Sequence, residues 1–219
     1  MSTRKAQPRD RGVNRPSQPS GLSDGAPMLG ELIAVIDETV PEVGAGVHYV
    51  LTTAVTLSPI DVDLSLAQLF SGTPGRKRPF HWHKEGPAAR NRITEIIIEQ
   101  GVVAHSRYQT VGRRGQRNAR QLLLAELSTE LHLEGVDHLI IESVDDVTNG
   151  RDKRTLLDNF ESSGGVPYAY DWRSKSERIL WIADAINGAI HDYLVGGDIT
   201  WFSQLTAGGV LDGEPKHLG

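Results

Sequence analysis

Asp184 is the only formal charge between Arg178 and Asp192, in a stretch (Ile179, Leu180, Trp181, Ile182, Ala183, Asp184, Ala185, Ile186) that is otherwise apolar. At helical spacing this segment is apolar almost all the way round, so it must be buried on more than one side. A carboxylate inside it has to be paired, hydrogen-bonded or bound to a cation, because an uncompensated buried charge is costly. A second acid, Asp37, ends the apolar run Leu32–Ile36, with Glu38 directly after it. A third, Glu142, ends the apolar run 138–142, with Asp145 and Asp146 just beyond. Carboxylates at the ends of buried strands can hold Mg²⁺ or Mn²⁺ through hard oxygen ligands. The plainer alternative is a turn acid before Pro41 and solvated loop acids after residue 142. For Asp146 that plainer reading is the better one.

His81 and His83 flank Trp82. In an extended segment both rings point to one face and Trp82 to the other, toward a core. The histidines could ligate a metal, act as a general base, contact phosphate or remain structural. A pair alone is short of the three or four protein ligands that zinc usually takes. Two basic groups, Arg76-Lys77-Arg78 and Arg113, Arg114, Arg117 and Arg120, could neutralise a phosphate backbone. Arg117 and Arg120, three apart, share a helix face. Either run by itself reads as a solvated face. Beside an acidic metal site they suggest a nuclease.

The elements that must position these groups follow from hydrophobic period and turn residues. Strands are expected at 32–37, 47–57, 102–109, 137–142 and 166–170. Helices are expected at 60–70, 87–100, 116–134, 151–161 and 176–195. Pro87 suits a first helical position, and Gly101 and Gly135 end their helices. A hairpin start followed by strand–helix alternation predicts an α/β domain: a mixed β-sheet with helices on its faces. Ligands of such sheets gather outside strand ends, where Asp37 and Glu142 fall.

Composition sets the remaining bounds. The 219 residues include no cysteine, so disulfides and thiolate metal sites are unavailable. No apolar run approaches the length of a membrane span, and the first residues lack the pattern of a secretory signal; the expected location is the cytoplasm. The net charge of −5 is uneven. Residues 1–29 carry five basic side chains against two acidic ones, a local +3 that leaves −8 for the remainder. Rich in Pro, Ser, Gly and Arg, residues 1–29 are expected to form a disordered basic arm. Residues 30–206 are expected as one domain and 207–219 as a flexible Gly-rich tail.

Three segments together resemble a known family. They are Ile36-Asp37-Glu38-Thr39, Phe80-His81-Trp82-His83, and Ser174-Lys175 followed by Ala183-Asp184 and Gly188. They are similar to the bacterial family called domain of unknown function 3800, which is regarded as ribonuclease-H-like; the resemblance spans roughly residues 32–195. Thr39 and Val40 stand where that family has Ser and Gly, and Glu142 where it has Asp. The resemblance implies a ribonuclease-H-like sheet and a metal-dependent nuclease, with Asp37, Glu142 and Asp184 holding one or two Mg²⁺ or Mn²⁺ ions. It also implies a catalytic histidine, His83 with His81 as the alternative, while Glu38 and Asp145 are secondary acids. The expected partner is DNA or RNA, contacted by Arg113, Arg114, Arg117 and Lys175. The alternatives are a catalytically inactive nucleic-acid or protein-binding module on the same fold, and a hydrolase of small phosphorylated substrates.

Overall fold

Ile33, Ala34, Val35 and Ile36 are all buried, as the apolar run with no polar alternation requires of a strand covered on both faces. The computed structural model describes residues 30–71, 79–112 and 114–218. Its first strand, β1 (Ile33–Thr39), turns through the two-residue β2 (Glu42–Val43) into the long β3 (Gly46–Thr56), which pairs antiparallel with β1. Helix α1 (Pro59–Ser71) and a 3₁₀ turn at Trp82–Lys84 lead into α2 (Pro87–Glu99), which starts on its proline. β4 (Val103–Val111) then runs antiparallel to β3. From there strands and helices alternate: α3 (Gln116–Leu133), β5 (His138–Glu142), α4 (Asp146–Asn159), β6 (Ala169–Arg173), α5 (Leu180–Leu194) and α6 (Thr200–Ala207).

Across the sheet the order is β6-β5-β1-β3-β4, continued by a short β7 (Lys216–His217) on β4. β5 lies parallel to β1 and β6 parallel to β5. Helices cover both faces. On one, α1, α2, α5 and α6 pack against Ile33, Val35, Val50, Ala54 and Ile140. On the other, α3 and α4 pack against Ala34, Ile36, Leu51, Leu139 and Ile141. This is the α/β architecture expected from the sequence: a mixed sheet that starts antiparallel, with helices on both faces.

Several boundaries differ from those expected, each for a local reason. α4 begins at Asp146 rather than 151 because the Asp145 side chain caps it, accepting from the backbone N–H groups of Val147 and Thr148. β6 runs over 169–173 rather than 166–170: Pro167 has no N–H for a ladder, and pairing with β5 begins at Ala169. α5 starts at Leu180, and residues 174–179 form turns ahead of it. α6, which was not expected, is eight residues long and buries Trp201, Phe202 and Leu205. The segment expected as a flexible tail packs instead: Val210 and Leu211 are buried, Ala104 N–H donates to the Val210 carbonyl, and Tyr193 donates to Glu214. Its glycines interrupt a stretch that still carries apolar anchors. No helix among the described residues is long and apolar enough to cross a membrane.

One close approach decides how the 3₁₀ turn meets α5. Every residue of α5 from Leu180 to Ile190 is buried, and Trp82, itself buried, lies directly on Gly188. A Cβ at position 188 would overlap Cβ, Cγ and Cδ1 of the Trp82 side chain. Gly188→Ala is therefore expected to lower stability by about 1–3 kcal/mol, the usual range for overpacking. Denaturant unfolding measures it; an unchanged midpoint would mean that the indole moves aside at no cost.

Candidate active site

Strand parity places the first two acids. Ile33 and Val35 face the α5 side of the sheet, so Asp37 does too. Ile140 faces the same side, which puts Glu142 there as well. β1 and β5 are parallel neighbours with Ile36 opposite Ile141, so Asp37 and Glu142 leave adjacent strand ends side by side. α5 crosses over this face and supplies Asp184, almost fully buried.

All three carboxylates converge on one cation. Lys175 Nζ, brought in by the turn after β6, lies 2.9 Å from Asp184 Oδ1, 3.1 Å from Glu142 Oε2 and 3.8 Å from Asp37 Oδ2. Trp181 Nε1 donates to the Lys175 carbonyl at 2.9 Å and so ties that turn to α5. Asp184 has two further partners from the 3₁₀ segment: the Trp82 backbone N–H donates to Oδ2 at 2.8 Å, and His81 Nδ1 lies 3.3 Å from Oδ1. Asp37 Oδ1 accepts from the Glu38 N–H at 2.7 Å. A cleft of about 400 Å³ opens beside the cluster, lined by Asp37, Glu38, Arg120, Glu142 and Lys175.

The electrostatics follow from crowding. Burial pushes the Asp37 carboxyl well above the usual range, and the adjacent Glu142 and Asp184 push it further, while Lys175 pulls the other way. Burial opposes the charge on Lys175, but Asp37, Asp184 and Glu142 outweigh it and hold the ammonium's pKa above its ordinary value. Three hard carboxylates around one lysine make a donor set suited to Mg²⁺ or Mn²⁺. The tightest groups of would-be ligands among the described residues are nevertheless two others, His83-His191-Asp192 and His105-Glu130-Glu134.

Other expected site residues are placed elsewhere. Glu38, one residue past Asp37, points to the opposite face, where it pairs with Arg120 and accepts from the Tyr49 hydroxyl at 2.6 Å. It is thus not among the groups around Lys175. Arg120, read as phosphate-facing, is buried and forks onto the fully buried Asp152, with Nη2 to Oδ2 at 2.8 Å and Nε to Oδ1 at 3.0 Å. Asp145 is committed to capping α4, and its two backbone donors and the Thr148 hydroxyl hold its pKa below the usual value. The segment 82–84 is a 3₁₀ turn, not extended, so the two histidines diverge in what they touch. His81 reaches Asp184, whereas His83 lies against the His191 ring, centroids 4.6 Å apart. Burial and His191 both lower the His83 pKa. Trp82 is core, as expected. Arg114 and Arg117 are exposed at the start of α3, and Arg117 lines a second opening with Glu38, Tyr49 and Arg151. Arg113 and the Arg76-Lys77-Arg78 group lie outside the described residues, as does the arm 1–29. Lys175, expected to touch nucleic acid, lies at the centre of the acid cluster. The Trp82 backbone donor was missed altogether; a backbone N–H carries no signal in the sequence.

Asp37 binds its proton more tightly folded than unfolded. Its contribution to stability is therefore full in acid and is lost as pH rises from the ordinary carboxylate range through the raised folded value. In metal-free buffer at neutral pH, Asp37→Asn is expected to raise stability by on the order of 1 kcal/mol and to flatten that pH dependence. Lys175→Met, which leaves the acids uncompensated, is expected to lower it by roughly 1–3 kcal/mol, discounted for the partial exposure of the lysine. Thermal unfolding of both variants across pH checks the signs; a destabilised Asp37→Asn would contradict this account of the crowding.

No family model matches the chain, and no curated protein matches it. Among solved structures it superposes on a chain of the complex of PCNA with RNase HII from Archaeoglobus fulgidus, at 12% identity and a TM-score of 0.46, covering 84% of this chain and 82% of that one.

Proposed function

We propose that this protein is a divalent-metal-dependent nuclease, or a related phosphoryl-transfer enzyme, that cleaves phosphodiester bonds of DNA or RNA. The observation that carries the reading is the meeting of Asp37, Glu142 and Asp184, acids far apart in the chain, around a single cation at neighbouring strand ends. In this reading those carboxylates hold Mg²⁺ or Mn²⁺. A bound ion there would lower the pKa of a water nucleophile and stabilise the charge of the leaving oxygen. The protein's own groups do the rest. Asp184 is locked by the Trp82 N–H and so presents its second oxygen in a fixed direction. His81, half-exposed and anchored on Asp184 through Nδ1, keeps Nε2 for moving a proton. Lys175, on a long and partly exposed stem, offsets the acids when no ion is bound and can turn to a phosphate oxygen when one is. Exposed Arg114 and Arg117, together with Arg113, neutralise the polymer backbone. The resemblance of Asp37-Glu38, Ser174-Lys175 and Ala183, Asp184 and Gly188 to domain of unknown function 3800 supports the same reading, and we infer membership of that family on those residues.

A second reading draws on one observation: Lys175 already supplies a positive charge among the acids, as it would in a ribonuclease-H-like module that binds nucleic acid or protein without cleaving it. Metal separates the two. For an enzyme, millimolar Mg²⁺ or Mn²⁺ raises the melting temperature and supports cleavage of labelled DNA or RNA, and Asp184→Asn abolishes both effects. Absence of both from the wild-type protein would leave the binding module.

Polymer binding has its own signature. Neutralising Arg113, Arg114 and Arg117 together is expected to weaken binding and to reduce the slope of log K against log salt by roughly 2–3. A slope equal to the wild type's would remove these arginines from the interface.

A further inference from the structure

His191 and Asp192 follow one another in the last turn of α5, and His83 lies just past Trp82 in the 3₁₀ turn packed on that helix. The carboxylate site uses none of the three. One donor atom from each lies within 4.8 Å of the other two. The two imidazole rings sit edge to face, 4.6 Å between centroids and 72° between planes.

Asp192 is held from behind. Its Oδ2 accepts from Trp82 Nε1 at 2.9 Å, and Arg90 Nη1 lies 3.4 Å from the same oxygen. That leaves Oδ1, which is 3.6 Å from His191 Nδ1, too far for a hydrogen bond. His191 Nδ1 is buried and has no hydrogen-bond partner among the described residues. A buried ring nitrogen left without a partner is unfavourable and calls for an explanation. Asn187, one helical turn earlier on the same face and only 2% exposed, likewise leaves both amide atoms unpartnered.

We propose that His83, His191 and Asp192 form a second metal site, which takes a borderline divalent ion of the Zn²⁺ kind and is separate from the Asp37-Glu142-Asp184 cluster. Two imidazoles and a carboxylate are a recognised three-ligand set for such ions, with a further position left to water. The oxygen-only cluster suits Mg²⁺ or Mn²⁺ instead, so the two sites differ in the ion they select. Trp82 and Arg90 act on Asp192 as outer partners that orient a ligating carboxylate. Bonds of about 2.0–2.1 Å require the donors to close in by roughly 1 Å. His83, the exposed member, can do so by a small side-chain rotation. Bound there, the ion clamps the turn at 82–84 to α5. The same turn delivers the Trp82 N–H and His81 to Asp184.

The test uses the full chain without a histidine tag, with Co²⁺ as the probe. One equivalent of Co²⁺ should give visible d–d bands that stoichiometric Zn²⁺ displaces. The bands should persist in the Asp37→Asn/Asp184→Asn double variant and in His105→Gln, and affinity should fall at least tenfold in His83→Ala. If His191→Ala does not fold, His83→Ala still decides, because His83 is exposed. Absence of bands in the wild type, or bands and affinity unchanged in His83→Ala, overturns the proposal. Loss of binding in the Asp37/Asp184 variant also overturns it, since that would place the ion at the acid cluster.

Discussion

A carboxylate buried in an apolar helix has to be answered by donors or cations, and the arrangement around Asp184 is that answer. Two parts of the chain supply it. The turn after β6 brings the ammonium of Lys175, and the 3₁₀ segment brings the Trp82 N–H and His81. Because the lysine is shared with Glu142 and Asp37, satisfying one buried acid gathers the other two. A charge that could not be buried alone thus becomes the centre of a polar cluster on an otherwise apolar face.

Trp82 links this cluster to the packing beneath it. Its ring rests on Gly188, its carbonyl accepts from Arg90 Nε, its indole N–H reaches Asp192, and its backbone N–H reaches Asp184. Arg90 also stacks over the rings of Trp82 and Trp201. One buried aromatic residue therefore fixes the distance between α2, α5 and the acids. On the opposite face, Arg120 plays a comparable part among Asp152, Glu38 and Tyr49, where burial raises the Tyr49 pKa. The two polar groups flank β1 because Asp37 and Glu38, consecutive along a strand, must point to opposite sides.

That alternation is what made part of the site legible. The apolar runs before Asp37 and Glu142 identify central strands, their parity puts both acids on one face, and the unbroken apolar helix marks Asp184 as buried. What stayed hidden depends on contacts between distant residues. Arg120 reads as a surface arginine until Asp152, on another helix, is brought against it. Lys175 reads as a free cation because its acids come from three other elements. Asp145 reads as a loop acid beside Glu142, yet its hydrogen bonds to Val147 and Thr148 start a helix whose weak apolar pattern hid its first turn. α6 was obscured by the glycines around it, though Trp201, Phe202 and Leu205 are spaced to share one buried face.

The last described residues have a consequence for solubility. β4 would be an outer strand with a row of unpaired N–H and C=O groups, open to pairing with another chain. The Val210 carbonyl and a bridge from Leu211 take up Ala104, and Lys216 and His217 pair beside Arg107 and Tyr108. Residues 210–217 thus shield one border of the sheet from edge-to-edge aggregation, and a variant lacking them would lose that guard while keeping every acid of the cluster.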